Sequence, residues 1–179
     1  MTTSGQPAAL AALGEGRLAG SWTLDAARSQ VRLATKSMWG MVPVKGVFGE
    51  VSGSGTVTAA GEVTGTLTVA AGSIGTKIKK RDDHLRSADF LDAANYPDIT
   101  FSVETVSPAD DGVTVAGRLT VRGTTRPVSF GAAVSGDDGE VTLDAEVPVN
   151  RTDYGLTFNQ LGMMGTRNTI TIHAVFTRQ

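Results

Sequence analysis

Few residues in this chain could do chemistry, and they are poorly grouped. His84 and His173 are the two histidines, they lie far apart in sequence, and there is no cysteine. A metal site needs three or four clustered nitrogen, sulfur or carboxylate donors, and two isolated histidines do not supply them. His84 stands among Asp82, Asp83 and Asp89. That setting suits a general base, or a histidine hydrogen-bonded in a tight turn, and the second reading is preferred. No catalytic triad, metal box or nucleotide loop is recognisable, so the sequence argues for a protein that is not an enzyme.

The densest charge is basic: Lys77, Lys79, Lys80, Arg81 and Arg86 fall within ten positions. Such a cluster can dock a phosphate or pyrophosphate. With acids interleaved, it also reads as a solvated helix face, which is the preferred reading. Arg151 and Asp153 either close a long loop by an ion pair or place the guanidinium against a ligand's polar head; the structural role is preferred.

Two greasy loops stand out. In Ser37-Met38-Trp39-Gly40-Met41-Val42-Pro43, the large apolar groups have no polar escort. An apolar loop in water needs a reason. Met38, Trp39 and Met41 suit a flap over an opening, because methionine adapts to what it covers; the alternative is a plug. Met163 and Met164, in Leu161-Gly162-Met163-Met164-Gly165, suit an adaptable wall of the same opening, or ordinary packing of a long connection.

The elements that would position these groups are strands. Val113 to Arg122 alternates apolar or glycine with polar residues, and the same period of two runs through Val63 to Ala71, Val128 to Val134, Val141 to Val149 and Ile170 to Thr177. Shorter versions lie at Val31 to Lys36 and Ile99 to Thr105. Turn signals such as Ala60-Gly61, Asp110-Asp111-Gly112 and Gly136-Asp137-Asp138-Gly139 separate them. The pattern predicts a meander of roughly eight strands joined by hairpins. Phe48 and Val51 have opposite parity, so a bulge near Gly49 is expected to turn both inward. Thr76 to Arg86 breaks the alternation and reads as one short helix or 3₁₀ turn. Asn150 to Arg167 is a second irregular stretch.

A sheet with one apolar face must bury it, and no helix here is long enough to cover it. Closure into an all-β, antiparallel barrel solves this and removes exposed edges. About eight strands enclose either a packed core or one small ligand. The parity places Val31, Leu33, Phe48, Val51, Leu67, Val69, Phe101, Val103, Leu119, Val121, Phe130, Val147 and Ile172 inside. The inward set is mostly aliphatic with few aromatics, aromatic residues are 6% of the chain, and no charged residue has clear inward parity in the regular strands. A dry lumen with room for an apolar ligand is the expectation, with a packed core as the alternative.

The net charge is −2, which is not the basic footprint of a nucleic-acid partner. Residues 1–19 read as a flexible tail, or at most one loose helical turn, without a secretory pattern, and 20–179 as the barrel. No apolar run approaches the ~20 residues that span a bilayer. A cytoplasmic protein is therefore expected, with transient membrane contact and a homodimer left open.

Several motifs then combine. Ser73-Ile74-Gly75-Thr76, Arg81-Asp82-Asp83-His84-Leu85-Arg86-Ser87-Ala88-Asp89-Phe90 and Tyr96-Pro97-Asp98-Ile99-Thr100-Phe101 occur in order. They are joined by Trp22 to Asp25, Gly46-Val47-Phe48, Gly117 to Val128 and Asn150 to Leu156. Together, from about residue 20 to the end, the chain resembles the YceI-like family. The resemblance implies a lipocalin-like, polyisoprenoid-binding barrel whose pore takes a polyprenyl quinone, a polyprenyl phosphate or a fatty-chain amide. The lipid would be carried, stored or sequestered, with no other cofactor. It also makes Arg81 a head-group candidate, beside Arg151. The alternatives are an interaction module with a solid core and, less favoured, a lipid-modifying enzyme. Two departures are visible: many relatives carry a signal peptide and are periplasmic, and many have His-Ser where this chain has Arg28-Ser29.

Overall fold

Alternation of apolar and polar residues makes strands with one dry face, and here it makes a ring of them. The computed structural model describes residues 8–37, 41–110, 112–157 and 165–179. Three staves of the ring are kinked. β1 (Gly20–Leu24) passes through a 3₁₀ turn at Ala26–Arg28 into β2 (Gln30–Ser37). β3 (Val42–Phe48) continues past Gly49 into β4 (Val51–Val57). β5 (Val63–Ala70) passes through a second 3₁₀ turn, Ala71–Ser73, into β6 (Ile74–Gly75). The other five are uninterrupted: β7 (Asp98–Ala109), β8 (Gly112–Val121), β9 (Thr124–Gly136), β10 (Glu140–Asn150) and β11 (Arg167–Arg178).

Neighbours run β1-β4-β5-β7-β8-β9-β10-β11, and β11 pairs back onto β1 from Trp22↔Arg178 to Leu24↔Phe176. This is the closed, eight-stranded antiparallel barrel that the sequence pattern predicts. Beyond the kinks, β2 pairs with β11 and β3, and β6 pairs with β3. We call the end bearing the β2–β3 hairpin and the β10–β11 connection the upper end. The lower end carries the β4–β5, β7–β8 and β9–β10 turns.

The first kink is capped by its own sequence. Asp25 Oδ1 accepts from the Ala27 N–H at 3.1 Å, and Arg28 Nε donates to Asp25 Oδ2 at 2.8 Å. The Arg28 hydrogen bond holds the Asp25 carboxyl below the usual carboxylate range. The same guanidinium reaches Glu140 with two further bonds, at 3.0 and 2.9 Å, so Arg28 ties this kink to the start of β10.

At Gly49 the chain breaks rather than bulges. Its N–H donates to the Ser73 carbonyl, 3.1 Å away, in register with the β3–β6 pairs. Phe48 is buried and Val51 packs between the two core clusters, so both side chains still serve the interior. A bulge does occur elsewhere, at Glu104, where the β7–β8 register shifts between Val103 and Thr105. It reverses the parity of β7 and turns Val106 inward.

Two helices close the ends. α2 (Lys79–Arg86) lies within the expected helical stretch and begins the β6–β7 connection. α1 (Ala8–Gly14) sits at the lower end. The flexible tail expected over 1–19 is corrected over 8–19: Ala12 is fully buried and Leu18 is 6% exposed, packed with Trp22. Alanine and leucine favour helix, and the apolar face finds a partner in the barrel. Among the described residues, no helix is long and apolar enough to cross a membrane.

Candidate functional site

The barrel is hollow. Many inward side chains, among them Leu33, Leu67, Phe101, Val128, Phe130 and Ile170, remain partly accessible although they face the axis. A packed core would have covered them.

The upper chamber has a volume of about 130 Å³. Of the strand residues expected inside, all but Val51 and Val103 line it: Val31, Leu33, Phe48, Leu67, Val69, Phe101, Leu119, Val121, Phe130, Val147 and Ile172. Val103 lines a second, lower chamber of about 170 Å³ with Val106, Val113, Val115 and Val134. Along β9, β10 and β11 the two chambers are separated by Ala132, Ala145 and Ala174, all buried. Leu67 belongs to both chambers, and beside it the Phe101 and Phe130 rings meet at 5.5 Å. The waist is thus two phenyl rings against a belt of alanines. Gly117 makes room for it: a Cβ there would stand 2.9 Å from Phe101 Cζ and 2.0 Å from the Ser102 carbonyl oxygen.

The upper chamber is roofed by irregular segments. Leu91 comes from the stretch after α2, and Tyr154 and Leu156 come from the 3₁₀ turn Arg151–Tyr154 and the residues after it. Burial raises the pKa of the Tyr154 phenol, so it is neutral near pH 7.

The basic motif residues hold this roof in place. Asp82, 8% exposed, accepts from the Thr76 N–H at 2.8 Å and from the Thr76 hydroxyl at 2.5 Å. Arg81 donates to the Thr76 hydroxyl oxygen at 2.8 Å and to its carbonyl at 3.1 Å. Arg86 donates to the Ile74 carbonyl, and Arg122 to the Phe90 carbonyl. His84 Nε2 lies 2.8 Å from Asp89 Oδ2, and its ring meets Phe90 edge-on. Arg81 is therefore spent on Thr76 and does not line the cavity. Replacing Asp82 by Ala leaves the Thr76 donors without their buried acceptor. The expected cost is about 3 kcal/mol, read as a lower urea midpoint with an unchanged slope.

Arg151 is different. It is 6% exposed and, among the described residues, is the charged one lining the two apolar chambers. Its Nε donates to the Gly165 carbonyl at 2.9 Å, and its Nη1 to the Leu156 carbonyl at 2.5 Å. Gly165 N–H in turn donates to the Lys36 carbonyl at 2.8 Å, which ties the flanks of both greasy loops together at the upper end. These described partners of Arg151 are carbonyls rather than the Asp153 carboxylate. Burial pushes the guanidinium pKa down from its usual value.

Met41, at the edge of the expected portal, is 75% exposed. Met38, Trp39, Met163 and Met164 lie outside the described residues. Ile99, Val128, Val149 and Ile170 also line the upper chamber, and their strand parity marks them as readily as the residues named above. Leu91, Tyr154 and Leu156 have no such signal. Among the described residues, no group of three or more His, Cys, Asp and Glu could hold a metal. His173 pairs on the outer surface with Asp144, 2.6 Å away.

The model of the YceI-like domain matches residues 22–176. The chain belongs to the YceI-like family. A UPF0312 protein of Staphylococcus aureus (strain MSSA476) is 32% identical over 149 residues, covering 78% of this chain and 84% of that protein. Among solved structures, Burkholderia cenocepacia BcnA is similar with a TM-score of 0.77 and 25% identity, over 85% of this chain and 98% of BcnA. A polyisoprenoid binding domain from Saccharophagus degradans, implicated in plant cell wall breakdown, shares the fold with a TM-score of 0.70 and 17% identity. That match covers 88% of this chain and 98% of the domain. The YceI-like domain accounts for the barrel staves and the α2 roof. It leaves α1 outside the matched segment.

Proposed function

We propose that this chain binds one long-chain apolar lipid of the polyisoprenoid class along the barrel axis, and carries, stores or sequesters it without altering it. The carrying observation is the pair of stacked apolar chambers, whose inward side chains are left partly uncovered. Family membership, and a fold shared with a domain described as polyisoprenoid-binding, support the same reading.

Burial supplies the affinity, at about 0.8 kcal/mol per CH₂ before ordering costs. Each chamber is close in size to an engineered apolar cavity of about 150 Å³ that holds benzene. A long chain therefore enters by turning the waist rings aside, and its polar end stays near Arg151. A phosphate, a quinone or an amide head all carry oxygen acceptors that a guanidinium can engage.

Organic extraction of the purified protein, followed by mass spectrometry, is expected to yield a stoichiometric long-chain lipid. Stripped protein is expected to take up added polyprenyl compounds. Clean extracts together with no uptake would overturn the reading in favour of an interaction module.

A further inference from the structure

The lower chamber is closed by residues that precede the family match. That match starts at Trp22, yet Leu13 and Leu18 line the chamber beside it. The N-terminal segment lies across the lower end as a strap. On one side, Arg17 pairs with Asp138 of the β9–β10 turn at 2.9 Å. On the other, Gly16, at φ +74°, brings its backbone against Ala59 of the β4–β5 turn; a Cβ would sit 2.8 Å from the Ala59 carbonyl oxygen. Between these anchors, the Trp22 indole N–H donates to the Leu18 carbonyl at 2.8 Å, and the Arg178 guanidinium stacks over the Trp22 ring. Arg178 also donates to the Arg17 carbonyl.

We propose that Ala8–Leu18 is the stopper of the ligand tube, and that Leu13 and Leu18 set the length of chain the barrel accepts. The proposal rests on the lipid reading and adds where the chain must end. The upper end holds the polar Arg151 and the loops around it, so an isoprenoid enters with its apolar terminus first. That terminus advances past Phe101 and Phe130 until it meets Leu13 and Leu18. A chamber of about 170 Å³ matches roughly one isoprene unit, judged against the benzene-sized cavity of similar volume. The last unit is thus capped by two side chains, Leu13 and Leu18, that lie outside the family match.

The test is the binding of a series of polyprenyl alcohols, each one isoprene unit longer than the last, to full-length protein. Leu18→Trp fills the chamber. It is expected to leave the short members unchanged and to weaken those that reach the lower end by roughly a hundredfold. Leu13→Ala with Leu18→Ala deepens the chamber and is expected to move the tightest-binding member to a longer chain. Circular dichroism confirms the barrel in both. If both variants keep the wild-type length profile, the stopper is wrong while the lipid reading stands. If no member binds the wild-type protein, the lipid reading fails and the stopper falls with it.

Discussion

Phe101→Ala is expected to join the two chambers into one tube and to make the protein depend on its ligand for stability. The Phe101 ring packs on Phe130 and over Gly117, and it forms the waist with Leu67. Truncation removes that packing and leaves a void that the alanine belt cannot fill. The expected loss in stripped protein is about 3 kcal/mol. The same change removes the barrier that a long chain must displace. Ligand at 100 times its Kd adds about 2.7 kcal/mol, so saturating polyprenol is expected to restore most of the lost thermal midpoint. The wild-type protein must spend part of its binding energy on moving the ring, so its ligand-induced shift is expected to be smaller. A shift no larger in the variant than in the wild type would place the waist off the ligand's path. Differential scanning fluorimetry with and without polyprenol reads both quantities.

The barrel was legible because the code for it is local. A period of two marks which face of each strand is dry, and turn residues mark where the chain reverses. From those two signals Leu119, Val121, Val147 and Ile172 fall on the correct side. Parity fails where the backbone leaves regular pairing. The bulge at Glu104 reverses β7, so Val106 faces inward although it is out of step with Phe101 and Val103. Leu91, Tyr154 and Leu156 reach the cavity from irregular segments whose course depends on tertiary hydrogen bonds. The Asp82–Thr76–Arg81 relay shows why. Its residues are six positions apart or fewer, yet nothing in their spacing says that the arginine will be used up on a carbonyl and a hydroxyl. Over 8–19 the tail expectation gives way for the opposite reason. Ala8 to Leu13 is a weak helix in isolation, and it is held by a barrel end that sequence periodicity cannot see.

Arg151→Met is expected to separate head-group recognition from structure. Methionine fills a similar volume but cannot donate, so the carbonyls of Leu156 and Gly165 lose a partner at the upper end. Each orphaned buried acceptor costs about 1–3 kcal/mol, and the unfolding midpoint is expected to fall accordingly. Stability alone does not show that the guanidinium meets a ligand. The discriminating measurement compares a polyprenyl phosphate with the polyprenol of equal length on the same variant. A charge-assisted hydrogen bond is worth about 1.5–3 kcal/mol, so the phosphate is expected to lose roughly 10- to 100-fold in affinity and the alcohol much less. Arg151→Lys keeps the charge but not the planar fork, and is expected to fall between the two for the phosphate. An equal loss for both lipids would make Arg151 a clamp on the β10–β11 connection and nothing more. A selective loss for the phosphate would mean that the guanidinium, held in an apolar chamber against the cost of its own desolvation, is kept there to meet an anion at the end of the tube.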